Sequence, residues 1–293
     1  MATTVQPLPT PYTPTPSRDR PTPPTDKKLG RIAPKSSPKA LMFARFAAAP
    51  AKLPVATEFF KNRATFQART FGNDKFFDCT RAKQAIAAMR MERLETRHTP
   101  MITDDEVVRV YFEMSKTLYD GSDGGAYETD ALSAWRRPAT TFRDTKGRAL
   151  TIDAYLRINH ADQDELRRSL WTAEAHGIAV CLNLPKAFQV INPPAIWDIP
   201  EDMPAIGDYR PGSWGGHSMW ARDYDERGLW LVHTWGQKDQ LITWRAAAIY
   251  VDEAHLVIDS LDFWRTKKPR AARAIDLAGV KKAVNKVSSF KLV

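Results

Sequence analysis

Cysteine is nearly absent from this chain: Cys79 and Cys181 are its only thiols. Two thiols exclude a disulfide framework and fit a reducing compartment, with a single Cys79–Cys181 bridge the one pairing left open. Long apolar runs are missing too. No window approaches the ~18 uninterrupted apolar residues of a membrane-crossing helix. The most apolar stretch near the N-terminus, Ala40 to Ala49, begins late for a leader and carries Arg45. Residues 1–16 hold neither a basic segment nor a hydrophobic one, so no signal peptide is evident. No internal repeat is visible.

What is present is enough for a sizeable core: 293 residues, 43% apolar and 10% aromatic. The net charge of +9 is uneven. Residues 1–50 carry +6, residues 265–293 carry +8, and the stretch between carries −5. Eleven of the 21 prolines fall in the first 50 residues, many as Thr-Pro pairs. Such a segment favours extended geometry and has too little apolar area to offset its ordering entropy. The expected division is a Pro-rich, basic, disordered tail over 1–52, a globular body over 53–262 and a basic tail over 263–293. The first tail reads as a linker, a docking arm or a removable pro-segment. The basic tails either touch nucleic acid or another polyanion weakly, or are solubilising arms.

Along the body, helices come first. Gly72-Asn73-Asp74 makes a turn before Cys79, and Ala82, Ala85, Ile86 and Met89 share one face of the helix that follows. A thiol at a helix N-terminus feels the positive end of the macrodipole, which favours the nucleophilic thiolate. Thr103 and Glu106 form a capping-box pattern ahead of Val107, Val110, Tyr111, Met114 and Leu118. The loop after that helix contains Gly124-Gly125, and another helix is expected over 129–136. A helix over 162–176 precedes a buried strand, 178–184, in which Cys181 reads as a small core hydrophobe. Strand-like runs follow at 217–222, 229–234, 240–244 and 255–258, the first two joined as a hairpin. Helices first and sheet second make an α+β plan.

Of six histidines, His217 is the best base for that thiol, because it leaves a Gly215-Gly216 turn at a strand edge. His176 ends a helix and His255 sits in a strand, where structural roles suffice.

Residues 53–260 resemble a papain-like cysteine peptidase domain, particularly a bacterial and phage group with a Gly-Asn-Asp…Asp-Cys entry and a Gly-Ser-Trp-Gly-Gly-His segment. The resemblance implies a helical half carrying Cys79 as nucleophile, packed on a β-rich half carrying His217 as base. It places Asn73, six residues before Cys79, as an oxyanion-donating amide. Gly124, Gly125, Gly216 and Trp235 would line the substrate groove. His233 stands where the family has the asparagine that orients the base, with Thr234 beside it as an alternative helper. Phe76 and Phe77 are bulky where small residues are usual, and would narrow the groove. The implied activity is hydrolysis of peptide bonds through a Cys–His thiolate–imidazolium pair, acting on a peptide or protein with no cofactor and no metal. The alternatives are a catalytically silent domain used for binding or structure, and another acyl-transfer chemistry on the same fold. A cytoplasmic or phage-associated location would suit either.

Overall fold

The computed structural model describes residues 27–35, 40–48, 52–57, 69–267 and 273–287. The Pro-rich stretch before residue 27, and Lys268, Arg270 and Lys291 of the expected C-terminal tail, lie outside the described residues.

Three helices open the body: α1 (Cys79–Thr96), α2 (Asp104–Leu118) and α3 (Glu128–Trp135). A short antiparallel pair, β1 (Phe142–Arg143) and β2 (Ala149–Leu150), follows. After β3 (Ala154–Ile158) come α4 (Gln163–Ala173), β4 (Ile178–Leu184), β5 (Gly215–Tyr224), β6 (Gly228–Val232) and β7 (Gln240–Thr243). The chain ends with α5 (Trp244–Tyr250), β8 (Val251–Ile258), α6 (Leu261–Lys267) and α7 (Leu277–Val287). Six strands form one antiparallel sheet in the order β3-β8-β4-β5-β6-β7. This is the α+β arrangement that the sequence implies.

The sheet divides two cores. On one face Val180, Leu182, Met219 and Leu256 pack with α5 and α7; on the other Ala179, Trp220 and Val257 meet α1 and α2. Alternation along β4 and β5 sends successive side chains to these two cores, so β4 reads as a nearly continuous apolar run and β5 is buried from His217 to Tyr224. Thr103 caps α2 by accepting from Glu106 N at 3.2 Å, as its sequence pattern requires. Leu118, however, lies at 41% exposure rather than on the buried face.

Helix α1 departs from the amphipathic expectation: every residue from Cys79 to Met91 is buried. Its charged groups are matched inside the fold. Arg81 donates to Gln84 Oε1 at 2.6 Å and to the Thr140 carbonyl at 2.7 Å. Lys83 Nζ lies 2.5 Å from Glu128 Oε1, and Ser218 Oγ donates to Glu128 Oε2 at 2.7 Å. Glu128 thus fastens α1 and α3 to β5 directly under the head of α1. Burial opposes its charge, yet the Lys83 ammonium holds the carboxyl below its usual range.

The expected tail boundaries need correction among the described residues. Phe43 and Phe46 belong to the sheet core, as do Ile275, Leu277, Val280 and Val284 from the C-terminal end. Residues 27–35 also pack against the body, because their backbone finds partners on both halves. No helix of the described residues is long and apolar enough to cross a membrane. Both cysteines are free thiols, so no Cys79–Cys181 bridge forms.

Candidate active site

Cys79 is the first residue of α1, set there by the turn from Phe71 to Phe77. Phe71 (φ 51°) and Gly72 (φ 95°) are left-handed, and a Cβ on Gly72 would stand 2.7 Å from Val108. The Gly72 carbonyl then accepts from Lys75 N and Phe76 N, both at 2.8 Å. Sγ lies against β5, within reach of the Ser218 backbone N–H, one residue past His217.

His217 is fully buried, its ring stacked on Trp235 with centroids 4.1 Å apart. Thr234 Oγ1 sits 3.5 Å from its Nε2 and donates to Asn73 Oδ1 at 2.6 Å. A hydroxyl has one proton, and Asn73 takes it. Thr234 can then only accept from His217, which puts the ring proton on Nε2 and leaves Nδ1 with a lone pair. That Nδ1 is buried without a hydrogen-bond partner. Thr234, not His233, is therefore the group that reaches the ring. His233 is buried edge-on to Trp197, and burial pushes its pKa down to about 3.

Asn73 is buried where the chain turns towards Cys79. Its Nδ2 donates to the Phe76 carbonyl at 3.1 Å, and a second N–H remains on the same nitrogen. Phe76 packs edge-to-face on Phe112 at 5.4 Å, against the cluster that holds Tyr111 and Met114. Phe77 stays at the rim, with the Lys28 ammonium 5.5 Å from its ring.

The groove is filled by the chain's own arm, residues 27–32. Gly30 N donates to Cys79 Sγ at 3.3 Å. On the helical side Ala126 N donates to Gly30 O at 2.7 Å, and Ile32 N donates to Ala126 O at 2.9 Å. On the β side Arg31 N donates to Gly216 O at 3.1 Å. Trp235 Nε1 donates to Lys28 O at 3.1 Å. Lys27 Nζ donates to Asn192 Oδ1 at 2.7 Å. Three glycines make these approaches fit. A Cβ on Gly125 would stand 2.1 Å from Gly30 O, one on Gly216 2.2 Å from Arg31 O, and one on Gly30 1.6 Å from Phe77 O. Gly124 does not join them; its nearest neighbour is Ser122 Oγ.

Under the arm the thiol is not activated. Burial pushes Cys79 up to about 12, against the pull of the Gly30 N–H, and burial pushes His217 well below its ordinary value. The helix N-terminus does not lower the thiol as the sequence suggests, because desolvation outweighs it. Asp78, next in the chain, is likewise raised by burial and by the Asp123 charge. No hydrogen bond links Sγ to the His217 ring in this closed arrangement.

Sequence reasoning missed Ala126, Asp78 and the arm itself. The Lys-Lys-Leu-Gly-Arg run in the arm was the available signal, since a glycine there permits close approach to a wall. Elsewhere, Glu95, His176 and Asp259 bring three ligand atoms within 4.8 Å of one another. Within that group the His176 ring nitrogens lie 3.8 Å from Glu95 Oε1 and 3.6 Å from Asp259 Oδ2.

No family model matches the chain, and no curated protein matches it. Solved structures do. Xylellain, a cysteine protease from Xylella fastidiosa, superposes with TM-score 0.59 at 16% identity, over 80% of this chain and 97% of that one. The ragweed pollen allergen Amb a 11, a cysteine protease in its proform, gives 0.55 at 11%, over 80% and 69%. The Carica candamarcensis cysteine protease CMS1MS2 gives 0.51 at 11%, over 71% and 100%. Identities this low show the fold alone: a papain-like α+β fold, its helical half bearing Cys79 and its β half bearing His217.

Proposed function

We propose that this protein is a papain-like cysteine peptidase held closed by residues 27–32. The observation that carries the reading is the Asn73–Thr234–His217 chain, which leaves a bare Nδ1 on a buried imidazole in the strand beside Cys79. With the arm withdrawn, water re-enters and the cost of charging both groups falls. His217 Nδ1 then takes the Cys79 proton. The thiolate attacks a peptide carbonyl, and the C–N bond breaks as His217 returns the proton to the leaving amine. Water, deprotonated by His217, cleaves the thioester and regenerates the thiol. The Cys79 N–H has no acceptor within its helix, as for any first-turn residue, and with the second Asn73 N–H it would hold the oxyanion. Peptides are the expected substrates because the groove binds an extended backbone from both walls.

A silent binding domain is the competing reading, favoured by the neutral thiol and by His233 at the usual position of the orienting amide. Hydrolysis of a mixed fluorogenic peptide library separates the two. The Gly30→Val chain, whose arm no longer fits, should cleave peptides. Cys79→Ala and His217→Ala should abolish cleavage. Thr234→Val, which keeps the shape but drops the ring's acceptor, should slow it roughly 10- to 100-fold. Absence of Cys79-dependent cleavage in the Gly30→Val chain would refute the peptidase reading.

A further inference from the structure

Most of what holds the arm is backbone, and would hold any extended peptide. Two side chains add to it: Lys27, which reaches Asn192, and Arg31. The Arg31 side chain is wholly buried, with Nη1 2.6 Å from Asp252 Oδ2 and Nη2 3.0 Å from Glu253 Oε2. Asn183 Nδ2 donates to the same Asp252 oxygen at 2.6 Å, so the acid is oriented by β4 as well as by the arm. Both acids open β8, and Glu253 stands opposite Cys181 in the sheet register. Asn183 stands opposite Gly216, whose carbonyl accepts from Arg31 N. The acidic pocket therefore lies beneath the glycine that precedes His217, and is entered by the residue next to the one on Cys79 Sγ.

Its chemistry is selective. A buried cation is tolerated only when paired and hydrogen-bonded, and a guanidinium fork can reach two separate carboxylates where an ammonium acts as one point charge. Burial and the Glu128 charge already raise Glu253, and Arg31, with Arg157, opposes them. A neutral side chain would take the guanidinium from both acids and leave Asp252 with the Asn183 amide.

We propose that Asp252, Glu253 and Asn183 form a guanidinium-binding specificity subsite of the groove, occupied here by Arg31, and that the substrates are peptides presenting an arginine beside the bond offered to Cys79. This rests on the peptidase reading and narrows it to a substrate class.

The test uses the full chain with Gly30→Val to vacate the groove, and reads binding and turnover separately. For binding, Cys79→Ser is added and a fluorescent peptide with the sequence of residues 27–35 is titrated, with arginine, citrulline or leucine at the position of Arg31. Citrulline keeps the shape and removes the charge. The arginine peptide should bind at least about 30-fold more tightly than the other two. Equal binding, or no binding of any of the three, overturns the subsite. For turnover, with Cys79 intact, arginine peptides should be cleaved roughly 100-fold more efficiently than leucine peptides, and Asp252→Asn should shrink that ratio. Cleavage without arginine preference rejects the subsite and leaves the peptidase standing. Arginine-selective binding with no cleavage of any peptide rejects the peptidase and leaves the subsite.

Discussion

Gly30 is the position at which the closed state can be broken with one atom. A Cβ there would lie 1.6 Å from the Phe77 carbonyl oxygen and 2.1 Å from its carbon, both backbone atoms that cannot swing aside. Gly30→Val should therefore lift the arm from Cys79. In the closed protein the thiol sits at about 12, so at pH 7.5 roughly 3 in 10⁵ molecules carry a thiolate. A solvated thiol near ~8.5 is about 10% ionised at that pH, a gain of roughly 3,000-fold before any help from His217. Iodoacetamide labelling followed by peptide mass spectrometry reads this directly. Cys181 serves as the internal standard, since it is buried in β4 and pushed well above its usual value by burial. The expected result is labelling of Cys79 at least ~10³-fold faster in Gly30→Val than in the native chain, with Cys181 unchanged. If the native chain labels Cys79 as fast as the variant, the arm does not guard the thiol and the argument from burial collapses. The opened chain should also keep reacting at pH 5–6, where a thiolate survives only beside an imidazolium; labelling that dies away as for a lone thiol rejects the Cys–His pair.

Two predictions concern stability. Lys83→Met strands the buried Glu128 carboxylate, a loss expected to cost about 3–5 kcal/mol in urea unfolding, and Glu128→Gln in the same chain should recover part of it; a change below ~1 kcal/mol would mean that the pair is not the clamp between the two halves. Burial holds His233 and His255 at about 3, against an unfolded value near 6.5. Between those limits the unfolded chain binds more protons than the folded one. Stability is therefore full above pH ~6.5 and falls on acidification by about 1.4 kcal/mol per pH unit for each histidine, with His217 adding in the same direction. Melting curves at pH 7 and pH 5 check this, and an unchanged midpoint would show that these rings are already protonated or solvated in the fold.

Local patterns in the sequence located what local physics decides. The run Ile178–Leu184 is a strand because it is apolar but for Asn183 and is bounded by Gly177 and Pro185. Thr103 caps α2 because its hydroxyl has an amide to serve three residues on. The order of Cys79 and His217 along the chain pointed to the fold, and the structure brings their two elements together. Helix α1 departs from its sequence pattern for a physical reason. Arg81, Lys83 and Gln84 look like a solvent face until Glu128, from a different helix, and the Thr140 carbonyl supply their partners inside the fold. Arg31 hid its role in the same way, since Asp252 and Glu253 lie more than 200 residues downstream.

The thiol shows how magnitudes overturn a correct local rule. A helix N-terminus stabilises a negative charge by ~0.3–1 kcal/mol at an exposed site and by at most ~2 kcal/mol when partly buried. Moving the thiol from 9.0 to about 12 corresponds to roughly 4 kcal/mol against the thiolate. Burial therefore wins for as long as Gly30 covers Sγ, and the dipole can act only after the arm departs. The groove glycines carry the same double meaning. Gly125 and Gly216 admit the arm's carbonyls because they would admit those of any extended peptide. A cleft shaped for a substrate backbone is, for that reason, one that the chain's own arm can close, and the side chain with which the arm anchors itself there is the one that identifies what the cleft prefers.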